Sequence, residues 1–106
     1  SLSTIRSQAE IVYDAKIGYG KKPFTLGPCS KVSDTLFAEI DIFTSLESAT
    51  NDKPENATCA SKLVAGKVDT YAVSAPLKTN PLSSWCIDST GVSKEIMGAI
   101  KSDKCE

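Results

Sequence analysis

Four cysteines, Cys29, Cys59, Cys86 and Cys105, stand in a chain of 106 residues that contains no histidine. Together these facts restrict the chemistry. A Ser-His-Asp or Cys-His relay is impossible without an imidazole. A structural zinc site brings its ligands in close pairs, and there is no C-x-x-C here. An even number of cysteines at long, irregular spacings in a small chain points to two disulfides and an oxidising compartment. Four reduced, buried thiols are the competing reading.

The remaining polar groups carry weak signals. A Ser-Lys pair is formally available, but no motif marks one. "GYG" and "STG" lack the spacing of a phosphate loop. The acidic pairs Asp34/Glu39 and Glu39/Asp41 read better as a solvated helix face than as an acid/base dyad. Asp52, Asp88 and Asp103 offer oxygen ligands for calcium, without the EF-hand spacing. Asn56-Ala57-Thr58 matches the N-glycosylation acceptor, a short pattern that often arises by chance. Trp85 offers a face on which a sugar ring would stack, but its alternation with Ile87 reads as core. Tyr13 and Tyr19 read as cover for the rim of that core. No catalytic residue, cofactor or metal is expected, and the chain is not read as an enzyme.

The elements that must hold these residues follow from the pattern. With 12 basic and 13 acidic residues the formal charge is −1. No run of Lys or Arg forms a nucleic-acid stripe. No apolar run approaches the roughly 18 residues of a membrane span. One soluble domain over residues 1–106 is expected. Ile5, Ala9 and Val12 recur at i, i+4 and i+7, which predicts a first helix, with Ser3 as a cap. "IGYGKKPFTLGPCS" is a loop. Ser33 then reads as the N-cap of a second helix over "DTLFAEIDIFTSLESA". Asp34 falls in its first turn, and Leu36, Ile40, Phe43 and Leu46 share one face. "TCASKLV", "VDTYAVSAPL" and "SSWCIDS" read as strands. In the second, Tyr71, Val73, Ala75 and Leu77 alternate against Ala72, Ser74 and Pro76. Short connections make these a three-stranded antiparallel meander. The tail is expected to add a helical turn through Glu95–Ile100. The order gives an α+β layout, two helices packed on one face of the meander, with a disulfide-stapled C-terminal region. Val12, Ile40, Phe43, Val73 and Trp85 are expected in the core, where Phe43→Ala would cost about 3–5 kcal/mol.

Two stretches together resemble a known family. "RSQAEIVYDAKIGYG" resembles the end of the long first helix of a bacterial type IV pilin. "TYAVSAPLKTNPLSSWCIDSTGVSKE" resembles the strands of that family, with their "WAxSAxL" and "WCVDSTGxSKE" runs. Tyr71 stands where Trp is frequent, and Ile87 where Val is frequent. The strongest element is Trp85-Cys86-Ile87-Asp88-Ser89-Thr90-Gly91 followed by Ser93-Lys94-Glu95. The resemblance implies a pilin-like head whose first helix continues from an apolar half ahead of Ser1. That half would anchor a precursor in the inner or cytoplasmic membrane and later form the filament core. Neither it nor the Gly-Phe cleavage motif is among these residues, so Ser1 is read as a cut within a longer chain. The implied partners are other pilin subunits, and the implied location is an extracellular, cell-surface pilus. Without the apolar half, the chain is expected to be monomeric. A secreted, disulfide-stapled binding module or adhesin is the alternative, and a pseudopilin of a type II secretion system the next.

The family and the meander together favour one cysteine pairing. Cys59 and Cys86 lie on strands separated by a third, about 9–10 Å apart. A disulfide needs Cα atoms within roughly 7 Å. Of the two pairings left, Cys29–Cys59 with Cys86–Cys105 is favoured, because it resembles how pilins fasten their C-terminal region. The crossed pairing would require the tail to reach the far strand.

Overall fold

The computed structural model describes residues 2–105. Helix α1 (Ser3–Lys16) buries Leu2, Ile5 and Ala9 along one stripe and half-buries Val12 and Tyr13 beside it. These residues recur every three or four positions, so one face meets the sheet while Arg6, Glu10 and Asp14 stay outside. Leu2 occupies the N-cap position in helical geometry. The Ser3 side chain, expected as a cap, lies outside the described atoms. The helix stops at Ile17, which turns left-handed at φ 54°. Gly18 N–H then bonds back to the Tyr13 carbonyl at 3.2 Å. Gly20 lies so close to the next segment that a Cβ there would stand 2.7 Å from the Leu36 nitrogen. Only glycine fits this crossing.

The expected second helix is broken in two. Ser33 caps nothing. Asp34 is left-handed, at φ 68°, and Thr35 is extended. A 3-10 turn, Leu36–Ala38, precedes a second break at Glu39, and α2 (Ile40–Ala49) starts only there. The break resets the helical phase. Leu36 and Phe37 both reach zero exposure, as do Ile42 and Leu46 of α2, and Ile40 turns outward at 72% exposed. One continuous helix would have left part of this set in water. At its end, the Thr50 hydroxyl donates to the Leu46 carbonyl at 2.6 Å, and Asn51 and Asp52 turn left-handed.

The sheet has five antiparallel strands where three were expected. They are β1 (Gly27–Pro28), β2 (Thr58–Val64), β3 (Lys67–Pro76), β4 (Ser83–Asp88) and β5 (Ser93–Met97), in that spatial order. The meander is its centre. On one side the loop before Cys29 adds a two-residue strand. On the other, the segment expected as a helical turn pairs with β4, Trp85 opposite Glu95 and Ser84 opposite Ile96. Val92 and Ile96, four apart, share a face in either conformation, so their spacing does not choose. The free edge of β4 does, because its unpaired backbone groups need partners.

Both sheet faces are covered. Tyr71, Val73, Ala75 and Ile87 face the helices in the main core. Ala60, Ala72, Cys86 and Ile96 form a second cluster on the opposite face, roofed by Ile100 and Cys105 of the returning tail. Cys29 joins Cys59 with Cα atoms 5.0 Å apart, and Cys86 joins Cys105 at 5.8 Å. Val73 stands between Cys59 and Ile87 across the register. Cys59 belongs to the helix-side core and Cys86 to the outer cluster, so the strand order and the two faces both separate them. No described helix is long and apolar enough to cross a membrane.

Candidate interaction surface

The residues with chemical interest gather around the β4–β5 turn and the first helix. Asp88, the last residue of β4, is 2% exposed. Its Oδ1 accepts hydrogen bonds from Thr90 N–H at 2.9 Å, from the Thr90 hydroxyl and from Val92 N–H at 3.3 Å. Its Oδ2 accepts Cys105 N–H at 2.9 Å. One carboxylate thereby shapes the turn and fastens the tail beside its disulfide. Burial pushes this carboxyl up, but the donors of Cys105, Thr90 and Val92 outweigh it and hold it below the ordinary aspartate range. The run Asp-Ser-Thr-Gly is the sequence signal: an aspartate beside a hydroxyl and a left-handed glycine makes an Asx turn. Asp103, a second calcium candidate, instead accepts the Thr70 hydroxyl, and Asp52 forms the left-handed turn after α2. Among the described residues no group of three acidic, cysteine or histidine side chains is placed to hold a metal ion. Glu39, read in both acidic pairs, bridges to Lys16 at 2.7 Å.

Three tyrosines, Tyr13 of α1 with Tyr19 and Tyr71, stack against one another beside the helix. The Tyr13 and Tyr19 rings stand 4.8 Å apart, and Tyr19 meets Tyr71 at the same distance, edge on. Tyr13 only partly covers the rim, its hydroxyl donating to Asp69 at 2.7 Å. Tyr19 goes deeper than a rim residue, 4% exposed, with its hydroxyl donating to Glu10 at 2.6 Å. Burial first, then the Glu10 contact, raises the Tyr19 phenol above its ordinary value. Burial and the Glu10 charge do the same for Tyr71. These phenols therefore stay neutral and act as packing with a polar tip.

Trp85 is not core. It shares the helix-facing side with Ile87, but the helix layer ends beside it. A groove of about 610 Å³ opens there, floored by Leu2, Ala49, Ala75 and Leu77. The indole is 39% exposed, with its N–H donating to the Ser93 hydroxyl at 3.2 Å. Iodide should therefore quench the fluorescence of this single tryptophan in the folded protein. Trp85→Ala should cost well under the roughly 3–5 kcal/mol of a buried aromatic. Emission that resists iodide until the chain unfolds would place the ring in the interior. Asn56 of the glycosylation pattern is exposed and closes a 3-10 turn ahead of β2, near the C-terminal end of α2.

Comparison of the chain with protein-family models, with curated proteins and with solved structures gives no match.

Proposed function

We propose that this chain is the globular head of a type IV pilin, a structural subunit of an extracellular filament with no active site. The observation that carries the reading is the setting of its strongest family-like run. Trp85–Gly91 forms β4 and the turn after it, and a buried aspartate and a disulfide fasten the C-terminal tail to it. Helix α1 laid by one apolar stripe on an antiparallel sheet supports it as well. In this reading α1 continues from an apolar half that anchors the precursor in the membrane and then builds the filament core with other subunits. Two disulfides suit a protein outside the cell, because they limit the unfolded chain under shear and proteolysis.

The half-exposed Trp85 groove favours the second reading, a secreted binding module. One experiment separates the two. Antibodies raised against residues 1–106 are applied to filaments sheared from the source cells. Immunogold labelling along the filaments is expected. Recovery of the protein only as a free secreted species, with filaments unlabelled, would reject the subunit role. The 106-residue chain itself should scatter light as a single chain at all concentrations. A stable, concentration-independent oligomer would show that the head assembles without the apolar half.

A further inference from the structure

We infer that the end of the head carrying Trp85 rests on a phospholipid surface, the face of the membrane that holds the precursor. The inference rests on the subunit reading above, in which α1 continues from an apolar half, and it gives the Trp85 groove a partner. Helix α1 opens at this end. Leu2, at its N-cap position, lines the groove together with Trp85, Ala75 and Leu77. A chain that leaves the bilayer just ahead of α1 therefore brings this end of the head against the lipid.

The surface at this end is built of apolar side chains that stand in solvent. Leu82 is 77% exposed and Met97 79%. Met97 stands opposite Ser83, and Gly98 N–H donates to the Leu82 carbonyl at 2.9 Å, so Leu82 and Met97 end neighbouring strands side by side. Trp85 stands opposite Glu95, and Met97, two residues on, shares its face of the sheet. The indole N–H is already held by the Ser93 hydroxyl, so its polar tip is satisfied and the ring presents apolar surface. Tryptophans of this kind settle where headgroups meet acyl chains. Ala49, Pro76 and Leu77 also wall a second hollow that reaches Pro81, which extends the apolar surface across the β3–β4 connection.

Charge neither drives this contact nor opposes it. Among the described lining residues of the groove Lys78 alone is charged, and β5 beside Trp85 adds Lys94 and Glu95. Lysine stems lie along apolar surface while the ammonium stays in the headgroup layer. Little net charge is left, so the contact is apolar and has no preference for anionic lipid. The far end of α1 supplies a control. Ile17 is 74% exposed there, about 20 Å along the helix from Ser3, and in this orientation it points away from the membrane.

The test tethers the oxidised 106-residue chain by an N-terminal polyhistidine tag to phosphatidylcholine vesicles that carry a nickel-chelating lipid, in place of the apolar half. The single tryptophan reports the contact. Brominated acyl chains should lower its emission by about half, and iodide should quench it at least about threefold less than in the free chain, as for a ring at the lipid boundary. Neither effect should change when phosphatidylglycerol is added or when salt is raised to about 0.5 M, where surface charges are screened. The pair Leu82→Ser and Met97→Ser, at exposed positions, should remove most of both effects, and Ile17→Ser should leave them intact. Equal emission on brominated and plain lipid would overturn the proposal. So would effects that survive the double variant, or that need anionic lipid. Protection from iodide that grows with surface density, without quenching by bromine, would assign the surface to a second copy of the chain and overturn it as well. Labelling of filaments decides the subunit reading and the vesicles decide the lipid contact, so each can fail without the other.

Discussion

Phe37→Ala should destabilise the protein by about 3–5 kcal/mol, the range for a fully buried aromatic. Phe43→Ala should cost only about 1–2 kcal/mol, near the usual loss for any substitution. The two phenylalanines lie six residues apart in what reads as one helix, so the contrast tests the break at Glu39. Phe37 has zero exposure and meets Phe24 edge to face, centroids 5.1 Å apart and planes at 81°. Removing its ring leaves a cavity walled by the loop before Cys29 and by the main core, which the Cys29–Cys59 disulfide keeps from collapsing. Phe43 only packs against the edge of that core, and the Lys31 ammonium sits 5.0 Å from its ring centroid. Water can take the place of that ring. Urea unfolding of both variants under non-reducing conditions gives the comparison. Equal losses would mean that a single continuous helix runs through Glu39 with Phe43 inside.

The sequence reveals those parts of the fold that one local pattern controls. The alternation of Tyr71, Val73 and Ala75 marks β3 and its helix-facing side because a strand has only two faces. Ile5 and Ala9 mark the buried stripe of α1 for the same kind of reason. Three features depend on something further away. Ile40 fits a helical stripe with Leu36 and Phe43, yet it is exposed because Glu39 breaks the phase. Trp85 alternates with Ile87, yet it is half-exposed because the helix layer stops short of it. Ser93–Met97 becomes a strand because β4 has an open edge, which no window on residues 93–97 contains. The cleft between α1 and the β4–β5 turn, beside Arg6, is hidden for a related reason. Its walls come from Arg6, Ser7 and Glu10, from Tyr71 and from residues 88–91, which only the packing of α1 on the sheet brings together. Asp88 differs, since the Asx-turn signature lies in the local run Asp88-Ser89-Thr90-Gly91 itself, where an aspartate, a hydroxyl and a left-handed glycine are neighbours.

Asp88→Ala should cost about 3–5 kcal/mol, because it strips four donors of one buried acceptor group. The Cys105 N–H contact is buried, so no water replaces the lost oxygen there without opening the tail. The turn donors of Thr90 and Val92 are nearer solvent and recover part of their loss. Asp88→Asn tests the charge itself. An amide supplies one acceptor oxygen, so either the turn or Cys105 N–H faces an NH₂ group that cannot accept. The wild-type advantage over Asp88→Asn should also depend on pH in one direction. The folded carboxyl titrates below its ordinary value, so the folded state binds its proton less readily than the unfolded chain does. The carboxylate's contribution is then complete above the unfolded value, about 3.9, and declines as pH falls through the folded one. Urea midpoints of both proteins from pH 7 downward should differ by a constant amount until about pH 5, then converge as the acid limb of the wild type sets in. A gap that persists unchanged to about pH 2, or that widens in acid, would show that Asp88 does not fasten the tail as a carboxylate.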